Sequence, residues 1–294
     1  MEAPGDMDVV IFEGLLFVAS LVIGVVAAMA GVGGGVVFTP LMLAFTQMDT
    51  TVIRAAGLAL TMTTSAFGGR KYFLAGAARL NLVLFTSLFM SLGVVTGALV
   101  GIHVVKSLGK AGEAIIRLTL GVLLFFIVLI MLTVKPREVK SEASGWSRRL
   151  GLYGAFKDPA TGEEVSYTAQ RLLPTAFALF GVGLIGGAFG LGAGWALVPV
   201  LNLITGLPIK IAVATSTSTF IVANAPGLWA YVHEGVATPL VLAPALVGVA
   251  IGSNIGARLA LKAKARVIRL VVISVMLIAA APLVTRGLMG LGLI

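Results

Sequence analysis

Cysteine is absent from the sequence and histidine occurs only twice, which excludes disulfides, thiolate metal sites and cysteine nucleophiles. Charge is also scarce. Charged residues make up 11% of the chain, against about 25% in a typical soluble domain. The long apolar runs contain no pair of carboxylates to serve as acid and base, so an intramembrane enzyme is disfavoured. No metal or organic cofactor is expected. The acidic N-terminus (Glu2, Asp6, Asp8, Glu13) has no Lys or Arg, so it lacks the basic flank of a cleaved signal peptide and its apolar run is expected to stay as a helix.

What remains is apolar. Hydrophobic residues make up 59% of the chain and the mean hydropathy is +1.07. Stretches such as 11–30, 80–101, 118–134 and 238–257 approach the roughly 20 residues a helix needs to cross a bilayer core. The balance of 21 Lys and Arg against 12 Asp and Glu would suggest nucleic acid in a soluble protein. Here the positives cluster in short loops between apolar runs, where they act as orientation signals, and no nucleic-acid partner is expected.

The sequence is written twice. One constant offset pairs Gly31, Gly33 and Gly35 with Gly190, Gly192 and Gly194, Pro40 with Pro199, and Tyr72 with Tyr231. It also pairs Gly24 with Gly183, Gly68 with Gly227, Gly76 with Gly235, Gly93 with Gly252 and Gly97 with Gly256. Of the eleven glycines from Gly24 to Gly97, eight fall on glycine, where chance would place about two. Beyond Val104 the first copy carries a longer loop, after which Arg117 faces Arg269.

Each copy reads as five helical elements, near 11–30, 35–47, 51–73, 80–102 and 114–134, then 172–189, 194–206, 209–231, 238–257 and 266–285. The expected fold is therefore all-α and polytopic: a first transmembrane repeat (1–134), a central linker (135–171) and a second repeat (172–294). An odd number of crossings inverts the second copy. The positive-inside rule agrees, placing Arg70, Lys71 and Arg79 on the same side as Arg258, Lys262, Lys264, Arg266 and Arg269. That side is read as cytoplasmic, together with Lys210 and the central loop, and both termini then lie outside a plasma or inner membrane. Lys106, Lys110 and Arg117 run against this assignment, and an even count with parallel repeats is the alternative. The loop's Trp146, Tyr153, Phe156 and Tyr167 suit a linker lying along the membrane surface.

The runs Gly31–Gly35 and Gly190–Gly194 interrupt apolar helices at equivalent places. Breaks of this kind free backbone N–H groups, and a short helix starting after one presents a positive dipole end suited to an anion. Glycines also let helices cross closely, but duplication at equivalent positions favours the cargo reading here. For Gly93, Gly97, Gly101, Gly252 and Gly256 the four-residue spacing points to close packing instead. Neither run continues to Gly-Lys-Ser or Gly-Lys-Thr, and Trp195 breaks the Gly-x-Gly-x-x-Gly pattern, so nucleotide is not expected.

The third element of each copy carries hydroxyls: Thr61, Thr63, Thr64 and Ser65 in one, Thr215 to Thr219 with Asn224 in the other. Hydroxyls can donate to an oxyanion, or bond back to their own helix. Arg54, near the start of the third element, can neutralise an anion or snorkel to the interface. His233 beside Glu234 could relay a proton, although a loop position favours ordinary solvation. The residues expected to bind cargo are Gly33, Gly34, Gly35, Arg54, Thr64, Ser65, Gly192, Ala193, Gly194, Thr215, Ser216, Thr217 and Asn224.

Taken together, the glycine breaks, Ala214-Thr215-Ser216 and the segment 231–235 resemble the TauE/SafE family of sulfite and organosulfonate exporters, across both halves. The resemblance implies a duplicated helical transporter moving small sulfur-containing anions such as sulfite or sulfoacetate. It places the family's Gly-rich segment on Gly31–Gly35 and Gly190–Gly194, and its Gly-Thr-Ser motif on Ala214, Thr215 and Ser216. The first copy has Ala56, Gly57 and Leu58 at the corresponding positions, and the acidic residue often found after the third element is absent after Gly76 and Gly235. The reading is a secondary transporter working by alternating access, with a proton or sodium gradient as coupling source and a homodimer left open. The alternative is a channel, or a transporter for a different small solute.

Overall fold

Helices dominate the computed structural model, which describes residues 6–133, 145–157, 164–192, 194–235, 239–260 and 265–293. The first half comprises α1 (Asp6–Ala30), α2 (Gly34–Phe45), α3 (Thr50–Thr64), α4 (Arg70–Leu74), α5 (Leu80–Leu108) and α6 (Lys110–Thr133). A π-helical turn, Ser65–Gly69, joins α3 to α4 without a break in the rod. The second half comprises α8 (Leu172–Phe189), α9 (Gly194–Pro199), α10 (Ile209–His233), α11 (Pro239–Ala260) and α12 (Ala265–Gly290), with a π-helical turn at Val200–Ile204 after α9. Among the described residues, five helices are long and apolar enough to cross a membrane by length and composition: Ile11–Ala30, Leu80–Leu108, Leu172–Phe189, Ile209–His233 and Leu242–Ala260. The chain is an all-α polytopic membrane protein in architecture. Its surface carries exposed Leu15, Val22, Leu88, Phe126 and Phe177, while Arg54, Thr61, Thr215, Ser216, Thr217 and Asn224 are buried. That inside-out polarity suits a lipid solvent, where polar groups are driven to the interior.

The halves interlock through their glycines. Along α5, a Cβ placed on Gly93, Gly97 or Gly101 would lie 2.1, 1.9 or 2.7 Å from the carbonyl oxygens of Phe180, Leu184 and Ala188 on α8. Along α11, a Cβ on Gly248, Gly252 or Gly256 would lie 2.4, 2.0 or 2.2 Å from those of Phe17, Leu21 and Val25 on α1. Helix α1 thus packs, parallel, on α11, and α8, parallel, on α5. Only glycine allows backbones this close, and association in lipid depends on such packing rather than on the hydrophobic effect. The packing reading of these glycines holds.

Equivalent helices meet antiparallel. A Cβ on Gly227 of α10 would touch Leu58 at 3.4 Å, and one on Gly68 would touch Thr217 at 3.5 Å. These two contacts exchange under the offset that relates the halves. Helices α6 and α12 likewise meet with Gly121 against Val284, Gly287 against Leu118 and Gly290 against Ala114.

The central segment, expected as a linker, carries secondary structure of its own. Its described parts form α7 (Gly145–Arg149) and an antiparallel hairpin of β1 (Tyr153–Lys157) and β2 (Glu164–Thr168), around buried Leu152, Phe156, Tyr167 and Ala169. Arg79 donates to Tyr153 O at 3.3 Å, Asn81 to Leu150 O at 3.3 Å, and Gln170 N to Thr205 O at 2.9 Å. The piece is therefore tied both to the start of α5 and to the end of the second π-helical turn. Burial pushes the Tyr167 phenol up from its ordinary value, with the nearby Arg79 charge opposing the shift.

Candidate functional site where the two breaks meet

After α1 the chain turns through Gly31 (φ 70°) and Gly33 (φ 79°), and after α8 through Gly190 (φ 65°) and Gly192 (φ 67°). These left-handed conformations are open to glycine and strained for side-chain-bearing residues. The two breaks lie against each other: a Cβ on Gly194 would sit 1.6 Å from Val32 O. Thr61 stands between them, 2.5 Å from a Cβ on Gly33 and 2.7 Å from one on Gly192. Its hydroxyl accepts from Gly35 N at 2.9 Å and has Gly57 O at 2.9 Å and Leu191 O at 3.3 Å as alternative acceptors. One turn on, Thr64 Oγ1 accepts from Gly34 N at 3.2 Å and donates to Leu60 O at 3.0 Å.

This corrects the expectation of unpaired N–H groups at the first break. The N–H groups that open α2 are capped by Thr61, Thr64 and, for Val36, by Gly33 O at 3.3 Å. At α9 the positions equivalent to Thr61 and Thr64 are Phe220 and Ala223, which have no hydroxyl. The Phe220 ring instead fills the junction, 3.2 Å from a Cβ on Gly33 and 2.9 Å from one on Gly194.

The first carbonyl of each break is held by a hydroxyl from the other half. Thr39 Oγ1 donates to Gly190 O at 2.8 Å, and Ser216 Oγ donates to Gly31 O at 2.6 Å. The two donors are not equivalents: Ser216 corresponds to Gly57, and Thr39 to Val198. By contrast Tyr72 OH donates to Ala28 O at 2.9 Å and Tyr231 OH to Gly187 O at 3.0 Å, one bond written twice.

Arg54 is fully buried, which overturns the snorkelling alternative. Its backbone is pressed against Gly190, where a Cβ would lie 2.3 Å from Arg54 Cα. The guanidinium donates from Nε to Thr50 O at 3.1 Å, from Nη1 to Ala188 O at 2.9 Å and from Nη2 to Thr51 Oγ1 at 3.4 Å, and lies 5.4 Å from the Tyr231 ring centroid. No carboxylate reaches it among the described residues, where the ion pairs are Lys106–Glu234 and Arg117–Glu113. Compensation comes from the carbonyl end of α8, equivalent to roughly half a negative charge. A permanent cation held by half a charge leaves room for an anion.

Of the remaining hydroxyls, Ser218 donates to Gly69 O at 3.4 Å, and Thr219 donates to Thr215 O at 2.7 Å, with Thr86 Oγ1 2.7 Å away. Thr63 bonds back to Ala59 O at 2.9 Å. Buried Ser65, Thr215 and Thr217 hydroxyls and both polar atoms of Asn224 have no hydrogen-bond partner among the described residues. Such groups are costly unless something else satisfies them, and in a transporter a ligand or water can do so.

The family model described as sulfite exporter TauE/SafE matches residues 16–283. The chain belongs to the TauE/SafE family. It is also 26% identical over 278 residues to the probable membrane transporter protein YunE of Bacillus subtilis (strain 168), covering 93% of this chain and 98% of that protein. No solved structure matches.

Among the expected site residues of this TauE/SafE member, Gly33, Gly34, Gly35, Gly192, Gly194, Thr64 and Ser216 are brought to the junction, and Arg54 to its Gly190 end. Ser65 opens the first π-helical turn, near Gly69, and Thr217 packs against Gly68 of the same turn. Asn224 lies two turns beyond Thr217 on α10 at the position equivalent to Ser65, and Thr215 sits one turn before Thr219. Ala193 falls outside the described residues. Thr61, Thr39 and Phe220 join the site although the sequence did not single them out as cargo ligands. The paired Tyr72 and Tyr231 were the one available signal for the hydroxyls that reach the helix ends.

Proposed function

We propose that the chain is a secondary transporter of small anions, sulfite or organosulfonates, working by alternating access around the junction of the two breaks. The observation that carries this reading is buried Arg54, without a carboxylate partner among the described residues, at the Gly190 end of that junction. An anion placed there completes the compensation that the α8 carbonyls supply only in part. Hydroxyls without a partner among the described residues, on α10 and in the first π-helical turn, supply neutral donors along the same helices.

Alternating access follows from two inverted repeats, 1–134 and 172–294, joined by the central segment 135–171. Rocking the glycine-lined pair α1–α11 against the pair α5–α8, each built from one helix of each half and moving as a unit, would exchange the environments of the two breaks. In this reading the termini face outward and the central segment and the Arg258 end of α11 face the cytoplasm, in a plasma or inner membrane. The sulfur-anion specificity rests on the family's description, and the driving force is a proton or sodium gradient.

Reconstituted protein tests this. Labelled sulfite or methanesulfonate should enter proteoliposomes with saturating kinetics. Arg54→Gln should lower the flux roughly thirtyfold, the consequence of losing about 2 kcal/mol from a buried charge contact. Unsaturable flux would indicate a channel, and unchanged flux in Arg54→Gln would remove Arg54 from the site.

A further inference from the structure

A cavity of about 240 Å³ opens where α3 begins, α5 ends and the turn after α10 lies. Asp49, Thr51, Val52, Ile102, Lys106 and Glu234 are in its wall. Arg54 lies beneath it. The Thr51 hydroxyl accepts from Arg54 Nη2 at 3.4 Å, and a Cβ on Gly101, next to Ile102, would lie 2.6 Å from Arg54 Nη1. Across the mouth, Lys106 of α5 pairs with Glu234, so the ion pair ties the first half to the second. Its side chains are 63% and 29% exposed. A pair so exposed adds little net stability and is weakened by salt, which suits a contact that must exchange.

The charges around this space are few. Asp49 is committed to capping α3, accepting from Thr51 N at 2.7 Å and Val52 N at 3.2 Å. Lys106 and Arg54 are cationic, and Glu234 is the second carboxylate. With Glu234 on Lys106 the vestibule is neutral; with Glu234 swung aside it carries one net positive charge between two cations. A water occupies about 30 Å³ of liquid, so the space holds a small hydrated oxyanion and is below the volume of drug-sized pockets. The residue equivalent to Glu234 in the first half is Ala75, so the charged closure has no copy at that position.

We infer that this vestibule is a first binding site for a small singly charged oxyanion of the sulfonate type, and that Glu234 is its resident plug. An arriving anion replaces the Glu234 carboxylate on Lys106, releases the contact between the halves, and lies next to Arg54. The inference rests on the transport reading above, but its test does not require transport.

Because the chain lacks cysteine, Val52→Cys puts a single thiol in the wall. In purified full-length protein, its modification rate is measured with an anionic and a cationic methanethiosulfonate reagent. Adding Glu234→Gln should raise the ratio of anionic to cationic rates about tenfold, as expected for a local potential gaining one positive charge. Lys106→Gln should lower the ratio, and the double variant should return it near the starting value. Methanesulfonate at millimolar concentration should slow anionic labelling in the Glu234→Gln background. A ratio unchanged across the four backgrounds, absence of protection, or failure of both reagents to reach the introduced thiol in every background overturns the vestibule. Labelling as expected without flux in liposomes would instead leave the vestibule in place and remove the transport reading.

Discussion

Tyr72 and Tyr231 occupy equivalent positions and make the same bond, each hydroxyl reaching the last turns of the first helix of its own half. Arg54 and Val213 also occupy equivalent positions, and each packs against the first glycine of the other half's break, yet one is a cation and the other a methyl-bearing side chain. The same contrast recurs at Thr61 and Phe220, Thr39 and Val198, and Ser216 and Gly57. The tyrosine bonds and the packing glycines Gly93 with Gly252 and Gly97 with Gly256 are duplicated, whereas the polar groups at the junction of the breaks, Arg54, Thr61, Thr39 and Ser216, are present once. The repeated sequence thus carries a shared packing pattern, with polar side chains distributed unequally between its two copies.

Breaking the scaffold should have the largest effect, and an equal one in both halves. Gly97→Leu and Gly252→Leu each drive a side chain into a backbone carbonyl that a bare Cβ would approach to 1.9 and 2.0 Å. Overpacking of this kind costs about 3 kcal/mol or more, so neither variant should give monodisperse protein on size exclusion. Normal behaviour of one alone would show that the halves do not share their packing.

Breaking the asymmetric groups should affect the halves unequally. Thr61→Val strips the acceptor from Gly35 N–H, an unmet buried donor costing about 1–3 kcal/mol, whereas Phe220→Leu removes no hydrogen bond. Thermal unfolding in detergent should therefore fall further for Thr61→Val. Equal losses would mean that Thr61 serves as filler. The smallest and most symmetrical change is the tyrosine pair: Tyr72→Phe and Tyr231→Phe should each cost about 1 kcal/mol, and a marked difference would sharpen where the halves diverge.

How much of this could be read from the chain alone follows the same division. Helices such as 172–189 were legible to the residue because an apolar run of membrane length has few alternatives. The packing glycines were legible because their four-residue spacing has one structural use in lipid. The destination of each hydroxyl was not: Thr63 bonds back to its own helix while Thr64 reaches across to Gly34, and only tertiary placement separates the two. Arg54 read equally well as buried or snorkelling, since its depth depends on the α8 end that packs on it. The strand pair 153–157 and 164–168 was missed because two five-residue strands give little periodic signal, and the π-helical turn at Ser65–Gly69 left no mark beyond paired glycines.

In the transport reading proposed above, one charged junction between the two breaks holds a small anion. Thermal unfolding of the purified protein across a panel of sulfite, methanesulfonate, choline and a neutral sugar tests it most directly, because a ligand that binds the folded state raises stability with concentration. The prediction is a saturable upward shift with sulfite or methanesulfonate alone, absent in Arg54→Gln. Equal shifts with choline or sugar, no shift with either anion, or a full shift retained in Arg54→Gln would contradict it.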